Sequence, residues 1–375
     1  MKLLDLVHRW TGGIIGLVLA VLGLTGAILV HKESWVALPH AGDALVTDPA
    51  VIGATTAKLL ADNPKTQSII YAGDRFGLDQ LRLAKGAGAY ADQAGNIVTR
   101  WQSQWERPEL WIFDLHHHLF SGDVGETIAG IAGLAAILFV VTGAILWWRT
   151  RRTFKFRLWP KRLSRPAIVM QHRDFGIVLA PLLLLSAVTG TMMVFKPFAA
   201  IVVAPFGPLA QATAMPKVKS GPLSPTPDWR DIVLAAHARF PDAQIRTLAL
   251  PRKPGEPITI RMKRVGERLP NGRSTLWFDA ANGRLLAAND ALAMPRAAQI
   301  YNGAFPLHAA KVGGLPYRLL MTCSGLALGL LGTLTVWTFW FKRPRKRRAR
   351  PDSRFSGTSP RPGACPNPRR FPPPP

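Results

Sequence analysis

Four uninterrupted apolar runs constrain this chain more than any other feature: Trp10 to Val30, Ile128 to Trp148, Phe175 to Phe195 and Leu319 to Phe341. None contains a charged residue, and each reaches the roughly 20 residues that a helix needs to cross a hydrocarbon core. A helix apolar on every side requires lipid or the middle of a large core around it. The pattern therefore predicts an α-helical membrane protein with a four-helix transmembrane bundle and excludes a soluble globular enzyme. The first run follows Lys2 and Arg9 as a signal peptide would. Its length is about twice that of an ordinary h-region and it has no clear small-residue cleavage site, so it is expected to be retained.

Basic flanks set the expected orientation. Nine Lys/Arg lie between Arg149 and Arg173 and seven between Lys342 and Arg350, and short segments of this kind stay in the cytoplasm. Both termini are then cytoplasmic and two long loops lie outside. The expected organisation is a span at 1–31, an outside lobe at 32–115, a span at 116–148, a basic cytoplasmic loop at 149–171, a span at 172–195, a second outside lobe at 196–307, a span at 308–341, and a basic, Pro-rich, disordered tail at 342–375. The net charge of +25 invites a nucleic-acid reading. Basic residues directly after a span instead fix topology and touch anionic lipid, so anionic lipid is expected as a partner and nucleic acid is not.

Two cysteines, Cys323 and Cys365, provide neither a disulfide framework nor a metal site. There is no Cys-x-x-Cys-His for covalent haem, no Gly-x-Gly-x-x-Gly after a strand and no P-loop. The spans also lack the buried carboxylates expected of an ion path, which argues against a transporter.

The chain repeats itself. His8-Arg9 and His172-Arg173 open the first and third spans, and Thr25-Gly26 and Thr189-Gly190 follow their histidines at the same offset of 17 residues. The second and fourth spans begin with Leu115-His116 and Leu307-His308, with Gly122 and Gly314 six residues after each histidine. The loops repeat as well: Asp48 to Asn63 and Asp228 to Phe240 read as amphipathic helices, and Thr66 to Tyr71, Leu78 to Ala84, Ile245 to Leu250 and Ile258 to Lys263 as alternating strands. Each loop closes in a hairpin, turning at Gly95-Asn96 and at Asn282-Gly283. A duplicated unit of span, α+β lobe and span is expected, a parallel repeat about an axis near the membrane normal.

With its His-Arg-Trp opening, the stretch Leu115-His116-His117-His118-Leu119, the His172-Arg173 repeat and Pro306-Leu307-His308, the chain resembles the PepSY-associated transmembrane helix family over residues 1 to 342. Its loops are similar to PepSY domains. The resemblance implies a bacterial inner-membrane location and a link to iron acquisition, and some members are similar to ferric-siderophore reductases holding two b-type haems.

Nine histidines occur, and four of them, His8, His116, His172 and His308, stand just before the four spans. A neutral imidazole can ligate haem iron, and an electron-transfer haem takes two axial ligands from facing helices. Topology sorts the four into His8 with His172 at the cytoplasmic face and His116 with His308 at the periplasmic face. One span separates the faces by about 30 Å, a distance two stacked haems could bridge. His118 and His117 compete with His116, and His31 is the other candidate at the outer face. Arg9 and Arg173, beside the inner histidines, could pair haem propionates or lie at the interface. Because no flavin or nicotinamide motif is present, electrons would come from a quinol or a cytoplasmic reductase. The expected function is a membrane electron-transfer protein with two non-covalent haem b groups that reduces Fe(III) in a siderophore or other chelate; no catalytic residue is assigned. The rival is a PepSY-type binding or regulatory protein without redox activity, its histidines merely interfacial.

Overall fold

The computed structural model describes residues 2–341. The basic run from Lys342, the disorder expected beyond it and Cys365 lie outside the described residues. The chain runs α1 (Lys2–Leu29), α2 (Lys32–Trp35), α3 (Pro49–Asp62), β1 (Ser68–Ile70), β2 (Asp79–Arg82), β3 (Gly88–Ala91), β4 (Ile97–Trp101), α4 (Pro108–His118), α5 (Gly122–Trp148), α6 (Arg165–Val194), α7 (Lys196–Val203), α8 (Leu209–Ala212), α9 (Trp229–Arg239), β5 (Gln244–Ala249), β6 (Ile258–Lys263), β7 (Ser274–Phe278), β8 (Leu285–Asn289), α10 (Arg296–His308) and α11 (Gly314–Trp340).

Among the described residues four helices, α1, α5, α6 and α11, are long and apolar enough to cross a membrane. An apolar run in lipid must satisfy its backbone internally, and a helix does so within one segment; this is a multi-pass helical membrane protein. Helix α1 packs closely on α11 and α5 on α6. The first pair can approach because it carries no side chains at the crossing. A Cβ at Gly23 would lie 2.5 Å from the Gly325 carbonyl oxygen, a contact that drives membrane helices together through small residues.

The segments between the spans form an antiparallel sheet carrying two helices. Asp48 caps α3 by accepting the Ala50 N–H and Asp228 caps α9 by accepting the Asp231 N–H, which satisfies donors that a helix start leaves unpaired. Leu59, Leu60, Ile232 and Val233 from these helices join Ile69, Leu81, Leu248, Ile258, Ile260 and Leu276 from the strands in one buried core. The hairpin turns place Gly95 at φ 81° and Gly283 at φ 72°, where a side chain would be strained.

Two features correct the sequence expectations. The strands of the two loops do not make two sheets: the strand order is β4-β3-β2-β1-β5-β6-β7-β8 in a single eight-stranded sheet, joined where Ile69 pairs with Leu248. The repeat predicts the strands but says nothing of their unpaired edges, which close on one another. Second, His116 and His308 do not begin the second and fourth spanning helices. Each ends a separate preceding helix, and the chain breaks through left-handed Leu119, Phe120 and Gly122 in one case and Ala310, Gly313 and Gly314 in the other. Non-glycine residues pay strain in that conformation, and here it turns α4 and α10 away from the spans that follow.

Candidate functional site

A cavity of about 1130 Å³ is lined by all four spanning helices and by residues of the sheet, above the roughly 300–1,000 Å³ of ordinary ligand pockets. His8 and His172 line it at one end of the bundle, His116 and His308 at the end that carries the sheet. Between them its walls include Gly16, Leu19, Ala136, Leu183 and Leu328.

The structure brings the four histidines together as two pairs. The ring centroids of His8 and His172 are 6.1 Å apart with planes at 88°; those of His116 and His308 are 6.0 Å apart at 47°. Imidazole nitrogens bind transition metals at about 2 Å, so two imidazoles on opposite sides of one ion hold their centroids roughly 6 Å apart. No cluster of three or more His, Cys, Asp or Glu suited to a metal ion occurs among the described residues. Each pair offers two imidazole donors.

Each ring also has a fixed partner on its other side. His8 Nδ1 lies 2.8 Å from the Thr142 hydroxyl and His116 Nδ1 2.9 Å from Thr25. His308 Nδ1 donates to the Ser186 carbonyl at 3.0 Å and lies 3.3 Å from Thr189, and His172 Nδ1 is 3.3 Å from Thr335. The glycines of the Thr-Gly repeat make room for the rings: a Cβ at Gly26 would stand 3.1 Å from His116 Cε1, and one at Gly190 2.9 Å from His308 Cε1. Burial pushes the His116 imidazole down to about 3, with His308 adding to the effect, and burial lowers His308 as well. Both stay neutral, the form in which an imidazole nitrogen can bind a metal.

The other histidines are engaged elsewhere. His118 bonds Asp114 at 2.9 Å through Nδ1 and His117 at 2.9 Å through Nε2. His117 has Glu126 3.7 Å from its remaining nitrogen and stacks on Phe113. His31 Nε2 is 2.8 Å from the Thr322 hydroxyl. Of the two arginines, Arg9 lies 3.5 Å from Asp5 with its side chain half exposed. Arg173 is held by Asp174 at 2.7 Å and by Thr153, although both arginines line the cavity.

The sequence reading missed several groups. Helix α6 begins ten residues before its apolar run and carries Asp174, fully buried and clamped by Arg157 and Arg173. This corrects the expectation of spans without a buried carboxylate: the charge was outside the run that defined the span, and its two arginine partners neutralise it. Glu33 and Lys311 form an ion pair between α2 and the α10–α11 connection. Thr142 carries the Thr-Gly signature, with Gly143 after it, but not at the offset of 17 residues from a histidine, and Thr335 is followed by Val336 and carries no such mark. At the sheet end the cavity is lined by Arg75, Arg82, Arg246, Lys263 and Arg268 against Asp74. Arg246 is tied to the Ala72 and Pro270 carbonyls and to Asn271, and Lys263 is 3.6 Å from Asp74. Arg75 and Arg268 make no hydrogen bond or ion pair among the described residues, which leaves a basic mouth.

No curated protein matches the sequence of this chain significantly. The family model for the PepSY-associated TM region matches residues 6–343, nearly all of the described chain including the four spans and the sheet between them, and the protein belongs to that family.

Proposed function

We propose that this protein is a two-haem electron-transfer protein of the bacterial inner membrane that reduces ferric chelates, siderophores among them, at its periplasmic face. The observation that carries the reading is the pair of facing histidine couples at opposite ends of one cavity, each with a centroid separation suited to two imidazoles sharing one iron. His8 and His172 would hold one haem b, and His116 and His308 the other. Haem bound in this way supplies one-electron redox chemistry. The protein's own contribution is to fix the donor nitrogens, to exclude water with apolar walls, and to offer a basic mouth for an anionic Fe(III) chelate. The donor is a quinol, which gives up two electrons and two protons when oxidised, or a cytoplasmic reductase, and for every two electrons delivered two ferric chelates each take one. Fe(II) binds hard oxygen donors less tightly, which frees the iron.

Several features support the finer architecture. The strand order is symmetric about the β1–β5 pair, each half of the sheet carries one Asp-capped helix, and a His-Arg pair followed 17 residues later by Thr-Gly occurs once in each half. We read these as a duplicated unit with one PepSY-like lobe per half. The basic segment between Arg149 and Arg173 favours cytoplasmic termini and contact with anionic lipid.

The test is the absorption spectrum and haem content of the purified full-length protein. Two low-spin haems per chain, oxidised by added ferric chelate after reduction, are expected. A protein that is colourless and binds no haem on titration would return the chain to the binding or regulatory reading.

A further inference from the structure

The four threonines beside the histidines share a second feature. Each donates its hydroxyl proton to a carbonyl one turn back in its own helix: Thr25 to Val21 at 2.7 Å, Thr142 to Leu138 at 2.7 Å, Thr189 to Leu185 at 2.6 Å and Thr335 to Leu331 at 2.7 Å. A hydroxyl has one proton. With that proton committed to the backbone, the oxygen can only accept from the ring, so Nδ1 must carry the hydrogen. At His308 the Ser186 carbonyl imposes the same result independently, since a carbonyl cannot donate. Neutral imidazole then has its lone pair on Nε2.

We propose that Thr25, Thr142, Thr189 and Thr335 are positioning residues that lock His116, His8, His308 and His172 in the Nδ1–H tautomer, so that each presents a bare Nε2. This rests on the two-haem reading for its purpose, though not for its geometry. His31 supplies the contrast. It meets a threonine of the same kind, Thr322, whose proton goes to the Arg318 carbonyl at 2.9 Å, but it does so through Nε2. The same logic puts the hydrogen on Nε2 of His31 and removes that nitrogen from ligation.

The arrangement also divides the chain. Thr25 and Thr142 hold His116 and His8, all within the first 148 residues, while Thr189 and Thr335 hold His308 and His172, all beyond residue 164. The facing pairs are drawn across that division, His8 with His172 and His116 with His308. Each half therefore sets the tautomer of its own two rings, and each cofactor would take one ring from each half. Partners of this kind orient a ligating imidazole and raise its basicity.

The tautomers can be read without any haem. In the full-length, haem-depleted protein labelled with ¹⁵N-histidine, long-range ¹H–¹⁵N spectra separate Nδ1–H from Nε2–H rings. His8, His116, His172 and His308 are expected in the Nδ1–H form and His31 in the Nε2–H form. Thr25→Val should release His116 alone, weaken haem binding at the outer site by about 10- to 100-fold, and raise that haem's midpoint potential because its ligand donates less. Thr25→Ser should restore all three. Nε2–H in the wild-type His116 ring would overturn the proposal, as would a Thr25→Val protein with unchanged tautomer, affinity and potential. If the Nδ1–H forms are found and added haem still does not bind, the lock stands and the two-haem reading fails.

Discussion

Alanine at the three glycines that follow a ring-holding threonine gives a graded test of how tightly the histidines are seated. A Cβ would stand 2.9 Å from His308 Cε1 at Gly190, 3.1 Å from His116 Cε1 at Gly26 and 3.6 Å from His8 Cε1 at Gly143. Carbon contacts are favourable from about 3.5 Å, so the shortfall is roughly 0.6 Å at Gly190, roughly 0.4 Å at Gly26 and nil at Gly143. The His308 ring cannot retreat freely, because Ser186 and Thr189 hold its Nδ1. Gly190→Ala should therefore displace a ligand nitrogen and weaken the outer haem about tenfold, or about 1.4 kcal/mol. Gly26→Ala should cost severalfold at the same site, and Gly143→Ala should leave the inner site unchanged. Haem titration of the depleted full-length variants, followed by the spectrum of each site, measures the series, and the thermal midpoint of each variant controls for general destabilisation. If Gly143→Ala were as damaging as Gly190→Ala, or if Gly190→Ala emptied the inner site, the seating argument would be wrong.

Haem should be lost in pairs: His8→Ala and His172→Ala should remove one spectral component, His116→Ala and His308→Ala the other, and His118→Ala neither, as judged by haem per protein. In right-side-out vesicles an impermeant anionic Fe(III) chelate should oxidise the prereduced protein, and added salt should slow the reaction, since exposed charges are screened beyond about 10 Å at 0.1 M. Arg75→Gln with Arg268→Gln should slow it further and flatten the salt dependence, whereas an unchanged rate would remove the basic mouth from the pathway. Asp79 is buried in the sheet, and burial pushes its carboxyl up to about 7 despite the Ala72 N–H and Arg246 beside it. A folded value above the unfolded one means that its contribution is fully present at low pH and is lost as pH rises from about 4 through about 7. The loss is at most about 4 kcal/mol. Hydrogen exchange at β1 and β2 should quicken across that window, and Asp79→Asn should abolish the dependence.

Much of the fold was legible because it rests on one-dimensional signals. Uncharged length gave the spans, Asp48 and Asp228 marked the helix starts, and alternation gave strands whose cores match the buried Ile258, Ile260 and Met262 of β6. The histidines could be sorted by face because a helix has only two ends and successive spans alternate direction. What failed depended on contacts between distant segments. Pairing Ile69 with Leu248 joined two expected lobes, and Asp174, just outside the apolar run of its span, is buried with Arg157, which reaches it from a loop 17 residues away.

The sequence by itself determined that this chain enters a membrane four times and carries four histidines near the ends of its spans, since hydrophobic length and residue type are properties of the chain. Only the tertiary structure decided which of those histidines face one another and what holds each ring. It turned α4 and α10 at left-handed breaks to bring His116 to His308, occupied both nitrogens of His118 with Asp114 and His117, and set a threonine from another helix behind each remaining ring of the two pairs. The physical reason is that the chemistry open to an imidazole depends on which of its nitrogens is left free, and hydrogen bonds decide that, from near neighbours at His118 and from helices far along the chain at the two facing pairs.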